Sequence, residues 1–179
     1  NTLSSGYDVA NSCRFDGSSS SMSITPGSNM NLDLWTWSGW IKRGSLGVLQ
    51  SIFAADNATT DFTELAFDAN DKLNFLNLVS NNIKGKKITT RVFRDPSAWY
   101  HIMVVYDTTQ GTAANRIKLY VNSSLLTTKT GGAHTLPDQN HDGKFNNTAE
   151  HKIGMVNGTY CWDGHMAEVH FIDGTALGP

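Results

Sequence analysis

The chain has 179 residues, of which 39% are hydrophobic and only 17% charged, with a formal net charge of −2. That length suits one domain with a proper core. No basic stripe is present, which argues against nucleic acid as a partner, and no apolar run is long enough to cross a bilayer as a helix.

Apolar residues recur with a period of two between turn clusters, which predicts short strands. SCRFDG (12–17) and MSIT (22–25) come first, and Pro26-Gly27 closes the second. LWTWSGWIKRG (34–44) is the first long strand. Trp35, Trp37 and Ile41 share one of its faces, and Thr36, Ser38, Trp40 and Lys42 the other. VLQSIFAA, TELAFD and KLNFLNL follow, and KITTRVFR (87–94) leads to the turn opener Asp95-Pro96. AWYHIMVVYD (98–107) is the most apolar strand. Ile102, Val104 and Tyr106 alternate there with His101, Met103 and Val105, so both faces look buried, as in a central strand.

RIKLYVN (116–122) alternates cleanly, with Ile117, Leu119 and Val121 inward, and Asn122-Ser123 turns into LLTTKT. A long polar segment (131–150) precedes HKIG and CWDGHMAEVHFIDG. There is no helical stretch beyond a turn, no linker and no internal repeat. About a dozen strands at this spacing predict a single all-β domain over residues 1–179, an antiparallel β-sandwich or jelly roll. The chain starts at Asn1 without a methionine, as a piece of a longer or processed protein would. Cys13 and Cys161 either form one disulfide or stay apart as buried thiols. Zinc would need more ligands at short spacing.

The stretches TWSGWIKRG, WYHIMVVYDTT, RIKLYVNSSLL and HKIG…WDGHMAEVHFIDGTAL, preceded by YDVANSCRFDGSSSSMSITPGS, form an ordered set. Together they resemble the laminin-G-like jelly roll of the concanavalin A-like lectin/glucanase superfamily, in particular the versions found in bacteriophage virion proteins. The resemblance implies two curved antiparallel sheets packed face to face, and a domain that binds glycans or proteins, sometimes through calcium at the sandwich rim. One departure stands out. Where many relatives have Asn-Gly after the LYV strand, this chain has Asn122-Ser123; glycine takes positive φ without penalty and serine does not, so a longer turn is expected.

DQNHDG (138–143) begins like a calcium loop. Asp138, Asn140 and Asp142 place oxygens at alternate positions ahead of Gly143. Position seven would be the Lys144 carbonyl and position nine Asn146, but position twelve is Ala149, and Glu150 comes one step late. This is no EF-hand. Two expectations remain: a partial Ca2+ site at the rim, completed by Asp56 or Asn57, or an Asx turn whose side chains cap their own backbone. Trp40 and Trp162 are the candidates for stacking on a sugar face; the alternative for Trp40 is packing under a covering loop.

Catalysis lacks a visible constellation. Retaining glycoside hydrolysis needs two carboxylates about 5–5.5 Å apart, and the glucanase strand pattern E-x-D-x-x-E is missing. Glu occurs only at Glu64, Glu150 and Glu168. Glu168 and His170 share a face of the last strand, which reads as a structural pair. The expected function is therefore non-catalytic. The leading reading is an adhesion module of a phage tail fibre or spike, binding host surface glycan. The alternatives are a capsid decoration or other particle component, with virion proteins or further copies of the chain as partners, and a secreted calcium-dependent lectin. The location is the virion or the extracellular space.

Overall fold

The computed structural model describes residues 11–129 and 134–179. Twelve strands follow in chain order: β1 (Cys13–Asp16), β2 (Met22–Ile24), β3 (Leu34–Arg43), β4 (Gln50–Ala58), β5 (Asp61–Phe67), β6 (Leu73–Val79), β7 (Asn82–Ile88), β8 (Tyr100–Asp107), β9 (Ile117–Val121), β10 (Ser124–Leu125), β11 (Glu150–Ile153) and β12 (Asp163–Asp173). One turn of 3-10 helix, Ala113–Asn115, precedes β9.

The strands form two six-stranded sheets, ordered β1-β12-β3-β8-β9-β10 and β2-β11-β4-β5-β6-β7, with antiparallel pairing throughout. The two sheets pack as a sandwich, as the alternation predicts. Trp35, Trp37 and Ile41 of β3 meet Phe53 of β4, Leu65 and Phe67 of β5 and Phe75 of β6 in one core. Trp35 stacks on Tyr106 at 5.1 Å between ring centroids and 10° between planes. β8 is buried on both faces, with Met103 and Val105 nearly covered on the side away from the core. β12 packs so closely on β3 that a Cβ at Gly164 would run into the Lys42 carbonyl.

Three expectations change. KITTRVFR is not a strand along its length; β7 starts earlier, at Asn82, and stops at Ile88. It is an edge strand. Edges are commonly protected by lysines, so its Asn, Lys and Gly residues hid it from a reading based on apolar alternation. The Asn122-Ser123 turn is not lengthened. Val121 pairs directly with Ser124, and both turn residues take positive φ, 49° and 64°. Finally, Cys13 and Cys161 are separate thiols, and Cys13 is exposed rather than buried.

Candidate functional site

The sheet containing β3 has one face away from the core, on which Thr36, Ser38, Met103 and Val105 are buried while Trp40, Lys42, His101 and Tyr120 are partly exposed, and its pairing register decides which side chains stand together there. The residues of β3 that do not enter the core are Thr36, Ser38, Trp40 and Lys42. Trp40 lies opposite His101 of β8 on one side and Ala167 of β12 on the other. In the next row, Ser38 lies between His170 and Met103, and Met103 faces Tyr120 of β9. Trp40 and the His101 ring sit 5.2 Å apart, tilted by 49°. Trp99, two residues before His101, is exposed and meets His165 at 6.3 Å. Burial, and then the nearby His170 charge, lowers the His101 pKa below the usual imidazole value. At the far end of the face the chain folds back. Thr36 Oγ1 donates to the Thr175 carbonyl (2.7 Å), and the Leu177 N–H donates to Thr36 Oγ1 (2.9 Å).

This face combines aromatic surface with imidazoles and a hydroxyl. Aromatic rings offer apolar area to the C–H face of a flat ligand, and imidazoles and hydroxyls both donate and accept hydrogen bonds. Trp40 lies on the open side of its strand, half-buried, and outside the core. Trp99, His101 and Tyr120 were not singled out from the sequence. The available signal was parity: Trp99, His101 and Met103 alternate with the core residues Tyr100, Ile102 and Val104.

Trp162 is a correction. It is fully buried in the core, where it stacks on Phe67 at 6.0 Å, so no ligand reaches its ring. Asp56 and Asn57 lie at the end of β4. Asp56 is buried and committed: Lys152 Nζ stands 3.0 Å from its Oδ1, and the Asn157 N–H donates to its Oδ2 at 2.6 Å. Asn57 is exposed.

Asp138, Asn140 and Asp142 all point to solvent. Among the described residues none of the three side chains caps a backbone N–H. The loop is held instead by the residue between them: the His141 carbonyl accepts from Tyr106 Oη (3.2 Å) and Thr108 Oγ1 (3.0 Å), and its Nε2 lies 3.1 Å from Asn77 Nδ2. Lys144, at the expected carbonyl position, pairs through Nζ with Asp61 at 2.8 Å. Among the described residues no three His, Cys, Asp or Glu side chains are grouped so as to hold a metal ion.

A family model described as "Concanavalin A-like lectin/glucanases superfamily" matches residues 16–178. The chain belongs to that superfamily. No curated protein sequence matches it. Among solved structures, the heptameric SAP-like pentraxin of Limulus polyphemus is similar over 96% of this chain and 79% of its own, with TM-score 0.65 and 16% identity. Domains LG4-5 of the mouse laminin α1 chain are similar at TM-score 0.62 and 14% identity, over 94% of this chain and 43% of theirs. The Ruminococcus gnavus IT-sialidase CBM40, in a structure with α2,3-sialyllactose, gives TM-score 0.53 and 15% identity, over 86% and 92%. At these identities the likeness is one of fold.

A concanavalin A-like domain with glucanases among its superfamily invites a search for paired acids. One such pair exists on the outward face of the other sheet. Ala54 pairs with Glu64, and Asp56 with Phe62, so the two acids are diagonal neighbours across β4 and β5. Burial, and then the Asp56 charge, pushes the Glu64 carboxyl up to about 7. A raised acid beside a second carboxylate is the pattern of acid–base chemistry. Here, however, both groups are buried, and Asp56 is already held by Lys152 and Asn157. A substrate has no approach, and the pair is part of the packing. Glu168 sits at a bulge in β12 with φ 48°, and its carboxylate lies 3.4 Å from His170 Nε2, as a surface pair.

Proposed function

We propose that this chain is a non-catalytic glycan-binding domain, and that it serves a virion as the adhesion module of a tail fibre or spike. The observation that carries the binding function is Trp40: a large aromatic ring left half-buried on the outward sheet face, beside His101, with the exposed Trp99 before β8 and the half-buried Tyr120 on β9. Of the other four tryptophans, Trp35, Trp37 and Trp162 are buried in the core, and Trp99 is exposed on the same side of the sheet as Trp40. The glycan-bound CBM40 among the similar structures supports the same reading. The viral setting is supported by the likeness of the ordered stretches, above all HKIG…WDGHMAEVHFIDGTAL, to phage virion domains. Several copies in one fibre would raise avidity for a repetitive surface without new contacts.

A glycan array probed with the purified chain, with Ca2+ and with a chelator, tests the binding. The expected result is a defined set of retained glycans, lost in Trp40→Ala and unchanged by chelation. An empty array under both conditions would remove the glycan reading. Immunogold labelling of purified particles tests the setting: label at the tail tip supports adhesion, and uniform label over the capsid contradicts it.

A further inference from the structure

Resting on that reading, we infer that the face around Trp40 takes the interior of an extended, unbranched glycan chain rather than a chain end. Three aromatic side chains stand on this face: Trp99, Trp40 and Tyr120. Trp40 and Tyr120 lie two strands and one residue row apart, about 12 Å between Cα atoms at ordinary strand spacing and rise. That separation is longer than one pyranose ring, so one sugar cannot rest on both. Between them the floor is low: Ser38 is small and buried, and Met103 is nearly covered. His101 and His170 stand beside it; His170 Nε2 is paired with the Glu168 carboxylate at 3.4 Å, and imidazole nitrogens can bond sugar hydroxyls.

Recognition of a chain end needs a blind pocket that closes around one sugar. Among the described residues the β9–β10 connection supplies no wall for one, because it is the two-residue turn Asn122-Ser123. The folded-back residues Thr175 and Leu177 bond to Thr36, one row beyond Ser38, at the far end of the face. A cavity of about 300 Å³ lies at the sandwich edge beside β12; it is lined by apolar groups such as Met22, Ile153 and Met166 and adjoins this face at Ala167, the neighbour of Trp40, and at Glu168. A close-packed floor with separated aromatic platforms standing above it suits a ligand that lies across the strands.

The test uses the full chain in native gels containing hyaluronan, alginate, xylan or mixed-linkage glucan. It is followed by calorimetry with the oligomer series of whichever polymer retards it. Affinity is expected to climb from monosaccharide to trisaccharide by roughly tenfold or more and then level off. Blocking the reducing end of the oligomer should leave it unchanged. Trp99→Ala and Tyr120→Ala should shorten the length dependence while the circular dichroism spectrum stays that of the parent chain. A monosaccharide that binds as tightly as its trimer, or a ligand lost on end-blocking, overturns the inference and leaves glycan binding standing. Failure of every polymer and oligomer to bind overturns both.

Discussion

Glu64 on β5 and Asp56 on β4 are diagonal neighbours on one sheet face, yet only Asp56 has a cation beside it, Lys152 Nζ at 3.0 Å. Glu64 Oε1 finds no hydrogen-bond partner among the described residues. The folded protein therefore holds the Glu64 proton more tightly than the unfolded chain does. With its pKa raised from 4.5 to about 7, its contribution is fully present below pH 4.5. It is lost as pH rises through 7, a loss of about 3 kcal/mol. Buried His151 acts in the opposite direction, since burial lowers its pKa and stability falls as pH drops below 6.5. The two are separated by Glu64→Gln. Urea unfolding between pH 5 and 8 should show the stability of the parent chain falling relative to the variant. Parallel pH profiles would show that Glu64 does not titrate in this range.

The other strongly committed charges are Arg43 and Asp71. The Arg43 side chain is 0% exposed, sits 3.0 Å from Asp71 Oδ1, donates to the Phe93 carbonyl at 2.7 Å and lies over the Phe67 ring. Arg94 reaches the other Asp71 oxygen from a largely exposed position. Removing Asp71 leaves a guanidinium buried without its counter-charge. Asp71→Ala should cost about 3–5 kcal/mol, whereas Arg94→Ala should cost less than about 1 kcal/mol. Denaturant midpoints for the two variants decide it; equal losses would mean that Arg94, not the buried partner, neutralises Asp71.

The β9–β10 turn stores strain in a serine. Ser123 holds φ 64°, a region that costs an L-residue about 1–2 kcal/mol, and Asn122 Oδ1 compensates by accepting the His101 N–H at 2.9 Å. Ser123→Gly should raise stability by about 1 kcal/mol. An unchanged or lowered melting temperature would place the compensation in Ser123 itself.

The strands with a clean period of two were readable before any coordinates, because alternation fixes which side chains of β3, β8 and β9 enter the core. Parity placed Lys42 outward with Trp40. It failed at β7, where an edge strand needs no apolar face, and at Asp56 near the end of β4 and Glu64 in the middle of β5, which look like unrelated acids until pairing makes them neighbours. Long-range register is not written in local pattern. For the same reason Trp40 was legible as an outward residue, while its company of Trp99, His101 and Tyr120, drawn from β8 and β9, was not. Trp162 was misread because it precedes its strand, where no alternation orients it.

Trp162 and Trp40 should consequently part in their effects. Trp162→Ala opens a cavity against Phe67 and should cost about 3–5 kcal/mol. Trp162→Phe should cost less, since the indole N–H has no acceptor among the described residues to lose. Trp40→Ala should cost under about 1 kcal/mol and act on ligand binding. Thermal melts of the three variants report this, and a Trp40→Ala as damaging as Trp162→Ala would make Trp40 a packing residue.

DQNHDG offers the last contrast, between the residues that look like ligands and the one that holds the loop. Asp138, Asn140 and Asp142 are exposed, and replacing any of them with alanine should change stability by less than about 0.5 kcal/mol. His141 accepts two hydroxyl donors at its carbonyl and packs its ring on Asn77, and burial keeps that ring's pKa below the usual imidazole value. A ring that forfeits a buried hydrogen bond costs about 1–2 kcal/mol when removed, so His141→Ala should destabilise by that amount. Millimolar Ca2+ should leave the melting temperature of the parent chain where it is. A calcium-dependent rise that disappears in Asp138→Ala and Asp142→Ala would instead show that the three oxygens close on an ion, with His141 as the hinge that sets them.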